Sequence, residues 1–76
     1  MIKVDRKLDA TGLSCPLPLL KAKQALNAMQ SGQCLQVLAT DGGSWRDFAA
    51  FADHSAHTLL DRVECDGVYT YLIEKG

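Results

Sequence analysis

The sequence lacks the features that would mark a membrane protein or a nucleic-acid-binding protein. Its longest apolar run is far shorter than the roughly 20 residues that a membrane-spanning helix requires. Lys and Arg number 8 against 9 Asp and Glu, a formal net charge of −1, so the chain lacks the basic face that nucleic acids need. Residues 1–8 alternate charged with apolar side chains and have no signal-peptide core. We therefore expect a cytoplasmic protein with no membrane and no direct nucleic-acid partner.

Cysteine is scarce, and its spacing excludes two common uses of this residue. The chain has three cysteines, Cys15, Cys34 and Cys65, and an odd number without a secretory signal makes a poor disulfide framework. No Cys-x-x-Cys pair occurs, so the sequence has neither a zinc knuckle nor a dithiol redox motif. It also has no cofactor motif, no phosphate-binding Gly-rich loop and no nucleophilic triad. We expect reduced thiols, no bound metal and no cofactor.

The length limits the kind of site that the chain can build. Its 76 residues suffice for one domain, which we place at residues 1–76, without a second core or a deep enclosed active site. The hydrophobic share of 47% and the charged share of 22% are ordinary for a globular protein. A domain of this size buries only about 60% of the surface that its unfolded chain exposes. We expect a functional site on a shallow surface, completed by a larger partner.

The first half of the chain has the pattern of a strand, a helix and a second strand. Residues 2–8 mix β-branched and charged residues, which is typical of a short strand. An apolar stripe predicts a helix from Pro16 to a stop at Ser31-Gly32. The stripe consists of Leu19, Ala22, Leu26 and Met29. Residues 34–40 then alternate as a strand, and the β-α-β order makes the two strands parallel neighbours.

The second half of the chain predicts a helix followed by a hairpin. The helix ends near Ser55 and has its own apolar stripe, formed by Trp45, Phe48, Ala49 and Ala52. Residues 58–65 and 68–74 flank Asp66-Gly67, the two-residue signal of a hairpin with a type I′ turn. The predicted fold is therefore α+β, a two-layer α/β sandwich of order β-α-β-α-β-β, with two helices on one face of a four-stranded mixed sheet.

Residues 14–18, Ser-Cys-Pro-Leu-Pro, join the first loop to the first helix and contain the best candidate for a reactive group. Because Pro is favoured at the first helical position, Cys15 is expected at the N-cap. The residue before a proline is held extended, so both constraints predict an exposed thiol at the positive end of the helix dipole. Since Pro16 and Pro18 remove two of the four free N–H groups of the helix start, we predict only a modestly lowered Cys15 pKa.

The residues alone leave two interpretations of Cys15 open. It is either a reactive thiol or a structural cap residue whose neighbouring prolines merely start the helix, although Ser, Thr, Asp and Asn are the preferred caps. Cys34 and Cys65 lie in predicted strands. Because buried free cysteine behaves as a small hydrophobe, we assign these two residues structural roles.

Other charged residues are candidates for supporting roles. Asp9 and Asp41 are expected in loops at opposite ends of the β-α-β unit, where they could orient the site or simply form turns. Ser44 with Asp47 three residues later resembles a capping box. The loop at 41–43 lacks a longer Gly-rich pattern, and its neighbouring carboxylates would repel a phosphate, so we interpret it as a turn.

Two further groups of residues have competing interpretations. Lys21, Lys23 and Arg46 either form a basic rim around Cys15 that docks an acidic partner surface or are a solvated face. His54 and His57 are a possible metal pair, but no third ligand is near in sequence. We interpret both histidines as surface residues or as a cation at a helix end.

Residues 8–18, LDATGLSCPLP, closely resemble the signature of the TusA/SirA-like sulfur-carrier family. The similarity continues at Gly32, 39–41, Asp47 and 71–76, so it spans nearly the whole chain. The resemblance implies a two-layer sandwich like the C-terminal domain of translation initiation factor 3. It also implies that Cys15 accepts sulfane sulfur as a persulfide from a cysteine desulfurase or a rhodanese-like donor, and passes it to a downstream acceptor protein. The motif residues expected to shape or orient such a site are Asp9, Gly12, Pro16, Pro18, Asp41 and Asp47.

The family resemblance identifies the chemistry better than the pathway. The family includes carriers for tRNA thiolation, for sulfur oxidation and for cofactor assembly. Some members have another cysteine in the second helix, where this chain has Ala52, so a mechanism that needs that thiol is excluded. We expect a sulfurtransferase-type carrier that is inert without partners and needs to be no more than a monomer. A non-catalytic, thiol-based regulatory or interaction module is the alternative; nucleic-acid binding rests on fold analogy alone.

Overall fold

The computed structural model describes residues 3–76 and has the predicted order of elements. The elements are β1 (Arg6–Ala10), α1 (Leu17–Asn27), β2 (Cys34–Ala39), α2 (Ser44–Asp53), β3 (Thr58–Cys65) and β4 (Val68–Glu74). The strands form one sheet of order β1-β2-β4-β3, in which β1 and β2 are parallel and the other pairs antiparallel. The predicted α+β sandwich with a four-stranded mixed sheet is therefore confirmed.

Strand β1 lies later in the chain than its pattern predicted. The predicted start at Ile2 lies outside the described residues. The strand continues past Leu8 to Ala10, because Asp9 pairs with Leu38 and Ala10 with Ala39 of the neighbouring strand. Asp9 is thus a strand residue and not a loop residue.

Both helices end earlier in the chain than predicted. Helix α1 ends at Asn27, before the predicted stop, because the N–H groups of Ala28 and Met29 bond to carbonyls three residues back rather than four. Such tighter bonds close the last turn of a helix. Helix α2 ends at Asp53, two residues before the predicted end. Within residues 3–76, no helix is long and apolar enough to cross a membrane.

The core lies between the helices and one face of the central strands β2 and β4. Its largest fully buried apolar side chains are Tyr71, Phe48, Leu26, Leu35, Ile73 and Val37. The rings of Phe48 and Tyr71 stack with centroids 4.2 Å apart and planes 8° from parallel. This stack joins α2 to β4, so the helix that carries Asp47 is fixed against the centre of the sheet.

The β3–β4 hairpin has the predicted turn. Asp66 and Gly67 both have positive φ angles, 51° and 80°, as a type I′ turn requires. Between Leu59 and Asp61 the register of the pairing shifts, which is the signature of a β-bulge. The bulge lies on the edge strand β3, away from Cys15.

Candidate functional site

Cys15 lies in the turn between β1 and α1, and its side chain is exposed as predicted. Helix α1 begins at Leu17 with Pro16 at the N-cap, so the predicted placement of Cys15 at the N-cap was wrong by one residue. The carbonyl of Pro16, not that of Cys15, accepts the first helical bond, from the N–H of Leu20 at 3.0 Å. The Cys15–Pro16 peptide bond is cis. Pro18 is in the first turn of the helix and is buried.

The thiol of Cys15 is bound to the second helix. Its Sγ donates a hydrogen bond to Oδ2 of Asp47 at 2.6 Å, across 32 residues of sequence. Asp47 is the acidic residue in the first turn of α2. The reactive candidate therefore belongs to a site built from both helix starts.

The predicted capping box of α2 does not form. The helix has Gly43 at its N-cap and no side-chain cap bond. The Ser44 hydroxyl turns into the interior instead, where it donates to the Asp41 carbonyl at 2.6 Å and lies 2.6 Å from the Tyr71 hydroxyl. Because Ser44 has a single proton to donate, Tyr71 is the donor of the second bond. This arrangement leaves the carboxylate of Asp47 free to bind the thiol.

The pKa of Cys15 is raised, which makes the predicted lowering wrong. The largest cause is the hydrogen bond to Asp47, which stabilises the protonated thiol, and desolvation adds to it. The negative charges of Asp47 and Asp41 act in the same direction. Every cause therefore favours the neutral thiol over the thiolate.

The start of α1 offers few N–H groups that could stabilise the thiolate of Cys15. Pro16 and Pro18 have no N–H. The N–H of Leu17 donates to the carbonyl of Ser14 at 2.8 Å. This helix start therefore does little to oppose the carboxylates near Sγ.

Gly43 packs closely against both Asp41 and Cys15. A Cβ atom on Gly43 would lie 3.0 Å from Oδ2 of Asp41, 3.5 Å from Cβ of Cys15 and 3.6 Å from its Sγ. Oδ2 of Asp41 is buried and has no hydrogen-bond partner among the residues that the structure describes. An open cavity of about 450 Å³ lies beside the thiol and is lined by Cys15, Gly42, Gly43, Trp45, Arg46 and Asp47.

The space at Gly43 leads to a prediction. Its backbone is in the right-handed helical region, which any residue adopts, so a side chain there acts only by crowding. We expect Gly43→Val to slow the alkylation of Cys15 by about tenfold, a barrier change of about 1.4 kcal/mol. The rate is measured with a thiol-reactive probe in an assay that is quenched at fixed times. Gly42→Ala is the control, because its Cβ would lie 3.6 Å from the Tyr69 hydroxyl, an ordinary contact. Equal rates in the two variants would show that Gly43 does not keep the thiol accessible.

The loops after β1 and β2 lie at the same edge of the sheet, not at opposite ends as predicted. They meet because β1 and β2 are parallel and the carboxyl ends of parallel neighbours point the same way. The N–H of Gly12 donates to Oγ1 of Thr40 at 2.9 Å across the two loops. Gly12 has a φ of 80°, which favours glycine.

Asp9 forms a turn and does not contact the thiol. Its Oδ1 accepts bonds from the Thr11 N–H at 3.0 Å and the Thr11 hydroxyl at 2.6 Å, an Asx turn. The bond from the Thr11 hydroxyl is the larger cause of a lowered Asp9 pKa, and the bond from the Thr11 N–H acts in the same direction. Of the two interpretations of Asp9, the structure supports turn formation.

The structure places one of the three residues of the predicted basic rim at the cavity beside Cys15. Arg46 lines the cavity at Cys15. Lys23 lies over the Phe51 ring, with its Nζ 5.4 Å from the ring centroid, and Lys21 is exposed on α1. Arg46 is therefore the member of the rim that the structure places at the site.

Trp45, on the predicted apolar stripe of α2, is half-buried: it packs against the core and also lines the cavity at Cys15. The guanidinium of Arg62 lies 4.1 Å from the centroid of the Trp45 ring, and its Nη1 donates to the Trp45 carbonyl at 2.9 Å. A residue of β3 thus contacts both the ring and the backbone of Trp45. Its place in the first turn of α2, together with Asp47, is the sequence signal that could have identified it.

The remaining cysteines differ from each other. Cys34 is buried, whereas Cys65 is exposed, so the expected burial of Cys65 was wrong. Cys65 pairs with Val68 in the last register position before the hairpin turn. Burial, followed by the charges of Glu74 and Asp5, raises the pKa of Cys34.

The two histidines have separate roles in the structure. Nδ1 of His54 lies 2.8 Å from the Ala50 carbonyl at the end of α2, and Nδ1 of His57 accepts the Gly76 N–H at 3.0 Å. Over residues 3–76, no group of three or more His, Cys, Asp or Glu residues could hold a metal ion.

Comparison with known proteins agrees with this architecture. The family described as sulfurtransferase TusA matches residues 6–75. The chain is 52% identical over 76 residues to the sulfur carrier protein TusA of Allochromatium vinosum, with both chains fully covered. It is 42% identical over 73 residues to the sulfur carrier protein TusA of Pseudomonas fluorescens, which covers 96% of this chain and 88% of that one. The crystal structure of a SirA-like protein from Desulfitobacterium hafniense has a TM-score of 0.81 at 29% identity, covering 93% of this chain and 97% of that one. The chain therefore belongs to the TusA/SirA-like family of sulfur carriers.

Proposed function

We propose that this chain carries sulfur as a persulfide on Cys15, taking it from one partner protein and passing it to another. The observation that carries the proposal is the exposed Sγ beside an open cavity. A donor persulfide reaches such a thiol without any rearrangement of the domain. Membership of a family of sulfur carriers supports the same chemistry.

Loading and delivery are both nucleophilic substitutions at sulfur. In loading, the thiolate of Cys15 attacks the outer sulfur of the donor persulfide, R–S–SH. The new bond joins Sγ to that sulfur, the S–S bond of the donor breaks, and the donor leaves as a thiolate that takes up a proton. In delivery, the thiolate of the acceptor attacks the outer sulfur on Cys15, and Sγ is the leaving group. The steps conserve electrons, so no external oxidant or reductant takes part.

The loop that carries Cys15 is bound to the scaffold at several points, which suits repeated exchange with large partners. The Gly12 N–H is bonded to Thr40 at 2.9 Å, and the N–H of Leu13 donates to the Ala10 carbonyl at 3.3 Å. With the bond to Asp47, these contacts hold Sγ at a defined place. A thiol held in position lowers the entropy cost of aligning two sulfur atoms in a shared interface.

The proposed partners follow from this chemistry. The donor is a cysteine desulfurase or a rhodanese-like protein, and the acceptor is a downstream protein of tRNA thiolation, cofactor assembly or sulfur metabolism. Arg46 at the cavity and Lys21 and Lys23 on α1 are proposed to meet an acidic partner surface. A monomeric, cytoplasmic carrier stays our prediction.

The test is whether the purified chain takes up sulfur on Cys15. The protein is incubated with glutathione persulfide, and intact mass spectrometry measures the added mass of sulfur. We expect one added sulfur atom, located on the peptide that contains Cys15 and removed by dithiothreitol. Sulfur found on Cys65 alone, or spread evenly over the three cysteines, would point to incidental thiol chemistry and contradict the proposal.

A further inference from the structure

The surroundings of Cys15 are the opposite of those of an activated thiol. Nucleophilic cysteines ordinarily lie beside cations or free helix N–H groups, which stabilise the thiolate. Sγ of Cys15 instead lies 2.6 Å from a carboxylate oxygen of Asp47. A carrier thiol held in its protonated form needs an explanation that the sulfur-carrier role does not supply.

The fold also brings a second carboxylate, that of Asp41, close enough to act on the Cys15 thiol. Gly43 has no side chain, and a Cβ at this position would lie 3.0 Å from Oδ2 of Asp41 and 3.6 Å from Sγ. The same Oδ2 is buried, and within residues 3–76 it has no hydrogen-bond partner. An oxygen in this state retains its full acceptor character and its electrostatic effect on the thiol.

Positive groups near the site do not compensate for the two carboxylates. Arg46 lines the same cavity, and Lys21 and Lys23 are exposed on α1. The pKa of Cys15 is nevertheless raised by Asp47, by desolvation and by Asp41. The carboxylates therefore outweigh the cations at Sγ.

We propose, on the basis of the persulfide role above, that Asp47, with Asp41 behind it, is a positioning residue that keeps the proton on Cys15 and makes sulfur exchange with small free thiols slow. When glutathione thiolate attacks the outer sulfur of the loaded carrier, a new S–S bond forms and the bond to Sγ breaks. The electron pair of that bond goes to Sγ, which then takes a proton from solvent. Nearby carboxylates oppose this build-up of negative charge.

The consequence is selectivity for docked partners. A leaving thiolate of high pKa leaves slowly, and an attacking thiol that is mostly protonated attacks slowly. An acceptor protein that holds its own thiol against the outer sulfur overcomes this by proximity, which is worth far more than the intrinsic reactivity of a free thiol. Sulfur is thus retained among the abundant small thiols and released within an interface.

The experiment compares Asp47→Asn with Asp53→Asn, which removes the same charge from the exposed far end of the same helix. Two rates are measured: iodoacetamide alkylation of Cys15 against pH, and discharge of the loaded carrier by glutathione. We expect both to rise by about threefold or more at neutral pH in Asp47→Asn. Alkylation rises because nucleophilicity falls only about half as steeply as the thiolate fraction rises, and discharge rises because a thiol of lower pKa leaves faster. The midpoint of the alkylation profile moves to lower pH, since the bond that raises the Cys15 pKa is lost.

Two further variants separate positioning from a loss of structure. Asp47→Glu keeps a carboxylate and should restore the slow rates in part, and Asp41→Asn should shift the profile in the same direction by less. Rates and a pH midpoint in Asp47→Asn equal to those of the parent would overturn the inference, as would slower discharge. If the parent chain fails to load sulfur at all, the proposed function fails, while the alkylation profile still decides the role of Asp47.

Discussion

Cys15→Ser should reduce persulfide loading from glutathione persulfide to the background of the other thiols. A serine hydroxyl forms no thiolate and no S–S bond, so the nucleophile of the proposed exchange is lost. The background comes from Cys65, which is exposed, and not from Cys34, which is 6% exposed and has a pKa raised chiefly by burial. The rate of sulfur uptake, followed by intact mass spectrometry, measures the loss.

Cys65→Ser and Cys34→Ser are the matched controls for this result. Both keep Cys15 and should load at the rate of the parent chain, with Cys65→Ser giving a lower background. The opposite pattern, in which Cys15→Ser loads normally and Cys65→Ser does not, would move the carrier role to the hairpin. In that case the contacts around Cys15 would be structural only.

Phe48→Ala should cost about 3–5 kcal/mol of unfolding free energy. Phe48 is fully buried, and its ring stacks on Tyr71 at 4.2 Å, so truncation leaves a cavity between α2 and the sheet. A chain of this length has a total stability of roughly 4–11 kcal/mol, so the variant should be partly unfolded or close to it. Urea denaturation followed by circular dichroism measures the change.

Val63→Ala is the control for the loss of apolar surface. Val63 is 50% exposed on β3, so its truncation should change the stability by about 0.5 kcal/mol or less. If Phe48→Ala proves no less stable than Val63→Ala, the Phe48–Tyr71 stack does not hold α2 on the sheet. The position of Asp47 beside Cys15 would then need another support.

The order of elements could be predicted because each is encoded by residues close together in sequence. The apolar stripe of α1 has a helical period, and Leu26 on that stripe is fully buried. Asp66-Gly67 defines its turn by the φ angles that only a few residues accept. The errors were at element ends, such as the extension of β1 to Ala10, which pairing with β2 decides.

The candidate site was predicted in part. The two prolines beside Cys15 correctly indicated an exposed thiol at a helix start. The direction of its pKa shift was wrong, because the free N–H groups were counted and the carboxylates across the site were not. The local pattern around Asp47 indicated only a cap of its own helix, whereas the family resemblance placed Asp47 among the residues expected to orient the site.

The sequence by itself determined the β-α-β-α-β-β order and the hairpin turn, because these depend on local periodicity and on the conformational preferences of single residues. It made Cys15 the candidate thiol through the neighbouring prolines and the family resemblance. The tertiary structure decided the surroundings of that thiol. The parallel pairing of β1 with β2 brings the loops after both strands to one edge of the sheet, and the packing of α2 then sets Asp47 against Sγ. Charged groups that lie far from Cys15 in sequence raise its pKa because they are close to Sγ in space, so only the folded chain defines the direction of that shift.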